Sequence, residues 1–330
     1  LSSTDDAASL APAWRANLVG RLALWSMSLF LSSTLLAGLT SALWLLTPLA
    51  GQGWFVGIHR FVLAVSLGSF AATFFVLFVL HRWLVGLRDV SYRSLKDAKV
   101  HVALTAYNDE DAIGPSVRDF KANPRVHKVI VVENNSKDDT KEAARLAGAD
   151  EVVTEKVPGY GSCCQRCLKE AAKDLSDNDV IILCEGDMTF SGADVDKFLA
   201  YLENCDLVLG TRATQELRQR DTQMDWLINP ANQVVAKLIQ TRFWGTRLTD
   251  VGCTYRAMRV DAYRRLEPKL RVLGNHFSPH MYIEALKLQM RVIEIPMVFK
   301  VRMGVSKGVG SNKRKAAKVA TRMLLELFKA

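Results

Sequence analysis

The chain has 330 residues, enough for one large domain or two ordinary ones, and carries a formal net charge of +9. Its charge is unevenly spread: residues 16–95 are rich in Leu, Val, Ala, Phe and Trp with almost no acids, and basic residues gather beside that segment and in the last thirty positions. Such clustering suits an anionic membrane face or a phosphorylated substrate, and no aromatic-and-basic motif for nucleic acid is present.

In chain order, Leu22–Leu49 is an uncharged apolar run, and Phe61–Leu80 is a second, flanked by Arg60 and by His81-Arg82. Each is long enough for a transmembrane span of about 20 residues, and the first is too long for the apolar core of a signal peptide. Arg82, Arg88, Arg93, Lys96 and Lys99 follow the second run, against one arginine and one histidine in the connection Ala50–Arg60. The positive-inside rule then predicts a hairpin with both ends in the cytoplasm, with Trp54, Phe55 and Trp83 as interfacial anchors. Residues 1–95 are accordingly expected to be a membrane segment, 96–307 a catalytic domain and 308–330 a basic amphipathic interfacial helix.

From Lys96 onward short apolar runs alternate with helical patterns. Strands are expected at Val100–Leu104, Val129–Val132, Val152–Val153, Val180–Cys184 and Asp206–Leu209. Helices are expected at Ile113–Ala122, Asp139–Ala147, Ser162–Ala172 and Met224–Trp244. This alternation predicts a mostly parallel α/β sheet covered on both faces. The cysteines at 163, 164, 167, 184, 205 and 253 are expected to be reduced thiols, since Cys164-x-x-Cys167 lies inside a helical pattern and has no second pair at zinc spacing.

In such sheets ligands bind beyond the carboxyl ends of the strands. The polar residues there are Thr105, Tyr107, Asn108, Asp109 and Glu110 after the first strand, Glu133, Asn134, Asn135 and Ser136 after the second, and Glu185-Gly186-Asp187 after the fourth. Two carboxylates two residues apart can hold Mg²⁺ or Mn²⁺, hard cations that bridge a few protein oxygens to substrate phosphates. Tyr107 can stack on a base, Asp109, Glu133 and Asn134 can hydrogen-bond base and ribose, and Gly159-Tyr160-Gly161 can bring a phosphate near a helix N-terminus.

These stretches, followed by Gly210-Thr211-Arg212, Asp250-Val251-Gly252-Cys253 with Arg256, Val292-Ile293-Glu294-Ile295-Pro296 and Arg302-Met303-Gly304-Val305-Ser306-Lys307, occur in the order seen in glycosyltransferase family 2. Over about residues 99–307 the chain resembles the polyprenyl-phosphate branch of that family, which includes dolichol-phosphate mannose synthase. The resemblance implies a GT-A type nucleotide-sugar-binding domain joined to the N-terminal transmembrane hairpin. It implies an inverting, metal-dependent transfer of sugar from a GDP- or UDP-sugar to a lipid phosphate on the cytoplasmic face. It places Thr105, Tyr107, Asp109, Val132, Glu133, Asn134, Gly161 and Gly186 at the donor, with Glu185, Asp187 and Thr189 around the metal. Arg212 and Asp250 fall on the sugar and acceptor side, Arg256 joins them and Asp187 as a candidate catalytic residue, and Arg302 and Lys307 match a basic pair that grips phosphate. Asp250 is the candidate base for a hydroxyl acceptor.

The chain departs from the family pattern at Thr105, at Glu133-Asn134 and at Glu185, where relatives carry proline, two aspartates and aspartate. His280 stands where many relatives have glutamate, and is expected to be structural. A hydroxyl acceptor is the alternative reading, and an inactive nucleotide-sugar-binding membrane module is a third. The sugar, the nucleoside and association into a homo-oligomer stay open at this stage.

Overall fold

A computed structural model describes residues 13–46, 52–85, 89–222, 228–244, 246–304 and 313–329. The chain divides into two compact units, residues 1–89 with 238–245, and residues 90–237 with 246–330.

The first unit is built on two long helices, α1 (Ala13–Leu46) and α2 (Gln52–Phe74). A π-helical stretch, Phe75–Leu80, continues α2 into the short helix α3 (His81–Leu84). Both are longer than the apolar runs suggested. α1 begins before Arg15 and Arg21, and the connection that was to hold Trp54, Phe55 and His59 is helical from Gln52. Helix propagation costs little once a turn is nucleated, and no proline follows Gln52 to stop it. The windows Trp14–Leu45 and Val56–Leu84 are long and apolar enough to cross a membrane.

Part of this hairpin is inside-out relative to a helix pair in water, although Val19, Leu24, Val62, Val76 and Leu77 are buried as well. Leu35, Phe61 and Leu67 are about 70% exposed, whereas Ser33, Thr40, Ser66, Ser69 and Thr73 are buried. Thr34 Oγ1 meets Ser66 Oγ at 2.7 Å, Thr73 Oγ1 donates to Ser26 Oγ at 2.9 Å, and Thr40 Oγ1 lies 3.1 Å from His59 Nδ1. Small hydroxyl residues between helices, with large apolar side chains outside, is the packing expected where the surroundings are lipid. Trp244 closes one end of the same unit, edge-on to Phe78 at 5.5 Å.

The second unit is a seven-stranded sheet in the order β3-β2-β1-β4-β6-β5-β7. The strands are β1 (Val100–Ala106), β2 (Lys128–Glu133), β3 (Glu151–Thr154), β4 (Val180–Glu185), β5 (Leu207–Thr211), β6 (Arg256–Arg259) and β7 (Val292–Pro296). β1, β2, β3 and β4 pair in parallel, β6 runs antiparallel to both β4 and β5, and β7 is parallel to β5. The helices are α4 (Glu110–Lys121), α5 (Thr140–Leu146), α6 (Tyr160–Ala171), α7 (Val195–Leu202), α8 (Ile228–Arg242, whose residues from 238 on count with the first unit), α9 (Val260–Leu266), α10 (Phe277–Lys287) and α11 (Lys313–Lys329).

The expected mostly parallel sheet is present. β1 and the apolar part of β4 are buried along their length, as strands covered on both faces must be. α4 starts three residues before the expected Ile113, because Asp109 occupies its N-cap and Glu110 and Asp111 fill the first turn, where acids favour the helix dipole. β6 and β7 were not expected as strands. β6 is Arg-Ala-Met-Arg, and both arginines are fully buried with their guanidinium groups donating to backbone carbonyls.

Tyr255, just before β6, is stacked on Phe198 at 4.2 Å and meets Phe120 and Phe190 edge-on, while its hydroxyl donates to Ser191 O at 3.1 Å. This cluster joins the residues that follow β4 to those that precede β6. Tyr255→Ala is expected to cost about 3–5 kcal/mol by leaving a cavity. Tyr255→Phe, which removes one hydrogen bond and leaves Ser191 O with Asp194 N alone, is expected to cost about 1 kcal/mol. Urea unfolding of the purified protein measures both.

Candidate active site

The loops after β1, β2 and β4 are stitched together by side chains. Asn108, in a left-handed conformation (φ 49°), accepts from Lys137 N at 2.7 Å, and its own N–H donates to Ser136 Oγ at 3.1 Å. Glu133 is buried and Oε2 accepts from Ser136 N at 2.8 Å. Asp109 Oδ2 accepts from Tyr107 N at 3.0 Å, and Tyr107 is 45% exposed. Thr105 is buried, and its carbonyl accepts from Gly186 N at 2.9 Å.

Several expected donor residues serve the scaffold. The Asn134 amide donates to Glu155 O and Val157 O, both at 2.8 Å, and accepts from Gly159 N at 2.9 Å. Its hydrogen-bonding groups thus fasten β2 to the loop before α6. Gly161 N donates to Leu273 O at 2.9 Å, and a Cβ there would lie 2.4 Å from Val272 O. This glycine is required by the close passage of residues 272–274, so the expected phosphate approach at the start of α6 is corrected: that backbone is covered. Val132 is fully buried, and its carbonyl accepts from Cys163 Sγ at 3.3 Å. Gly186 admits Ile113, whose Cδ1 would lie 2.4 Å from an added Cβ.

At the end of β4 the chain makes an Asx turn. Asp187 Oδ1 accepts from Thr189 N at 3.0 Å and from Thr189 Oγ1 at 2.5 Å, with Met188 left-handed (φ 64°) between them. Thr189 thereby aims the carboxylate. The other oxygen, Asp187 Oδ2, is buried without a hydrogen-bond partner and faces Arg302 Nη1 at 3.2 Å. Arg302 Nη2 donates to Asp109 Oδ1 at 3.0 Å, so one guanidinium spans the ends of β1 and β4. Glu185 Oε1 accepts from Thr254 Oγ1 at 2.6 Å, and Thr254 is in turn hydrogen-bonded to the Tyr160 hydroxyl. Burial, and then the neighbouring Asp187, push the Glu185 carboxyl up to about 7.

Two carboxylates with one unpartnered buried oxygen fit a hard divalent cation. Among the described residues no three His, Cys, Asp or Glu side chains converge as a cage. A cation at Glu185 and Asp187 would therefore complete its shell from ligand oxygens and water, the habit of Mg²⁺. Thr254 was not singled out in the sequence, and Tyr160 was named only within the Gly159-Tyr160-Gly161 turn; Thr254 directly follows the Asp250–Cys253 motif, which is the signal that marks it.

The Asp250 loop is a buried ionic knot. Asp250 accepts from Arg212 Nε at 2.7 Å, Arg212 Nη2 at 2.8 Å, Arg212 N at 3.1 Å, Asn232 Nδ2 at 2.5 Å and Gly252 N at 2.9 Å. Burial alone would raise its carboxyl, but Arg212 and these donors bring it down to about 2. That weighs against its expected role as a base: a carboxylate held so low has little affinity for a proton, and its oxygens are already taken up by donors. Beneath the knot Glu294 accepts from Thr249 N, Thr249 Oγ1 and Asp250 N, which explains the Glu-Ile-Pro motif. Arg256 is fully buried and donates to Cys253 O, Thr254 O and Ser278 Oγ. It shapes the loop and its guanidinium donors are taken up there.

His280 is buried, with Nδ1 2.7 Å from Glu326 Oε2 of α11 and Nε2 accepting from Arg271 N at 3.2 Å, in keeping with a structural histidine. All six cysteines are free and buried, and burial pushes the Cys164, Cys167 and Cys184 thiols up. Lys307 lies outside the described residues.

A parallel-rich sheet with an acid-x-acid turn at the end of its fourth strand defines a nucleotide-dependent α/β transferase architecture. Residues 101–267 match the sequence pattern of glycosyl transferase family 2, and the chain belongs to that family; it is a glycosyltransferase. Over 207 residues, 62% of this chain and 85% of the relative, it is 25% identical to the dolichyl-phosphate hexose transferase of Haloferax volcanii. Over 201 residues, 61% of this chain, it is 25% identical to the glycosyltransferase AglJ of the same organism, and spans 62% of that protein's length. Among solved structures it is similar to glucosyl-3-phosphoglycerate synthase from Mycobacterium tuberculosis in complex with Mn²⁺, uridine diphosphate and phosphoglyceric acid. The TM-score is 0.54 at 16% identity, over 71% of this chain and 79% of that one, which shows a common GT-A-like fold.

Because the Asp250 carboxyl is depressed, its stabilising effect is present above the ordinary carboxylate range and is lost only as pH falls through about 2. Asp250→Ala is expected to cost about 3–5 kcal/mol by stranding the Arg212 charge. Thermal melting reads that loss, and no inflection in a pH–rate profile between about pH 5 and 9 is expected to trace to Asp250.

Proposed function

We propose that the protein transfers a sugar, with inversion, from a GDP- or UDP-sugar to a membrane lipid phosphate of the polyprenyl or dolichyl kind, with Mg²⁺ or Mn²⁺ held by Glu185 and Asp187. The observation that carries the reading is Asp187 Oδ2, buried without a hydrogen-bond partner at the end of β4, beside an Arg302 guanidinium that also reaches Asp109 after β1.

The cation, when bound, supplies positive charge against the diphosphate as it departs. Thr189 fixes the Asp187 carboxylate for that task, and Thr254, backed by Tyr160, fixes Glu185. Tyr107, exposed beside Asp109, offers a face for the base. Arg302 is in ion contact with Asp109 and Asp187 and is suited to developing negative charge. Lys307 is assigned to the same role on its sequence motif alone.

Three features support a lipid phosphate acceptor. Asp250, the residue that would have served as a base, is saturated by donors. A phosphate monoester is already ionised near neutral pH, its second pKa being about 6, and needs no base to attack. The inside-out hairpin gives the chain a surface suited to lipid, and the Haloferax volcanii relative bears the name of a dolichyl-phosphate hexose transferase. We assign the hairpin to the bilayer as two spans, with the catalytic domain and both ends cytoplasmic, residues 96–307 as the catalytic domain, and α11 as a helix lying on the membrane surface.

Membranes containing the protein are expected to move labelled sugar from a nucleotide-sugar into a lipid that releases it in mild acid. Asp187→Ala, or a chelator, is expected to lower the initial rate by at least about 100-fold. A labelled product stable to mild acid identifies a hydroxyl acceptor, and turnover untouched by chelator removes the metal from the scheme.

A further inference from the structure

Arg302 takes up the position of a counter-ion between two acids that belong to different strand ends. Its Nη2 donates to Asp109 Oδ1 at 3.0 Å and its Nη1 stands 3.2 Å from Asp187 Oδ2, without hydrogen-bond geometry. Its Nε is buried and has no hydrogen-bond partner. Only 15% of the side chain is exposed, so this is an interior guanidinium with part of its bonding capacity unmet.

The backbone holds it there. Lys300 N donates to Thr189 O at 2.8 Å and Met303 N to Asp187 O at 3.2 Å, so residues 300–303 run alongside the Asp187 turn. Phe299 N donates to Leu217 O at 2.8 Å and Gln219 N to Phe299 O at 2.9 Å, fixing the approach to that segment. The position of the Arg302 Cα is therefore set, while the guanidinium is attached by one ordinary hydrogen bond and a looser ion contact.

We propose that Arg302 is a surrogate cation, which neutralises Asp109 and Asp187 in the ligand-free protein and is displaced when a divalent ion binds Asp187. The inference rests on the assignment of the cation to Glu185 and Asp187. Asp187 Oδ2 cannot serve a guanidinium and a divalent ion equally, and the two like charges repel at contact distance. The displaced guanidinium carries its unmet donors to the nearest new anion, the donor diphosphate. Metal entry and delivery of Arg302 to the leaving group become one event, so a cation without a nucleotide binds weakly by design, and both together bind tightly.

Two measurements on the full-length protein in detergent test this. Free Mn²⁺ is titrated by electron paramagnetic resonance, without nucleotide, into the wild type, Arg302→Met, Arg302→Lys and Asp187→Asn. Arg302→Met is expected to bind Mn²⁺ at least about tenfold more tightly than the wild type, within the usual range of coupling between sites. Arg302→Lys, a point charge that cannot span both acids, is expected to fall between them. Separately, phenylglyoxal modification of Arg302 in the wild type, read by peptide mass spectrometry, is expected to accelerate several-fold on adding Mn²⁺ but not potassium chloride of equal ionic strength.

Unchanged Mn²⁺ affinity in Arg302→Met overturns the proposal, and so does a modification rate indifferent to Mn²⁺. If Asp187→Asn binds Mn²⁺ as the wild type does, or if no variant binds it even with uridine or guanosine diphosphate, the cation assignment itself has failed. The second measurement needs no substituted protein, so a variant that does not fold leaves the test standing.

Discussion

A buried carboxylate that has one oxygen satisfied and one not is the constraint around which this molecule is arranged. Asp187 is 2% exposed, yet only Oδ1 is hydrogen-bonded, by Thr189. Leaving a charged oxygen buried and unbonded costs free energy unless a cation stands opposite. Arg302 meets that need from a segment far away in sequence. The demand explains why the ends of β1 and β4, the Asx turn at Met188 and residues 299–303 must all meet at one place.

Around this centre lies a second, more rigid layer of charge. Arg212 and Asp250 form a bidentate pair fed by Asn232 and Gly252, with Glu294 bonding the backbone below and Arg256 the backbone behind. Such a saturated knot has no spare capacity for chemistry. It holds the chain from Thr249 to Thr254 in one conformation, and Thr254 then holds Glu185. The division of labour is between charges that are fully matched and stay put, and charges that are incompletely matched and await a ligand.

Much of this was legible in the sequence where the signal was local. β1, β2 and β4 are apolar runs with a polar residue at the end, and the sheet order places those ends together, so the polar loops that follow them meet at one edge of the sheet. β6 was hidden because Arg256 and Arg259 read as surface, and only tertiary partners, carbonyls from distant segments, make them core residues. Gly161 and Asn134 resemble ligand-binding residues in sequence, yet each is consumed by a backbone that arrives from elsewhere, residues 272–274 and 155–159. Asp250 read as a base because no pattern in the chain reveals how many donors will surround it. The hairpin was visible as composition, but its buried hydroxyls and exposed leucines became informative only once the two helices were paired.

The functional account joins a family 2 glycosyltransferase domain to an apolar helical pair, and asks of the first that it bind a cation and of the second that it meet lipid. The cation is the more exposed to disproof. Crystals grown with Mn²⁺ and a nucleoside diphosphate, measured at the manganese absorption edge, locate the metal directly by anomalous scattering. The account predicts one strong peak within coordination distance of Asp187 Oδ2, shared with Glu185 or a diphosphate oxygen. A peak elsewhere, with the Asp187 carboxylate still facing Arg302 alone, would contradict it.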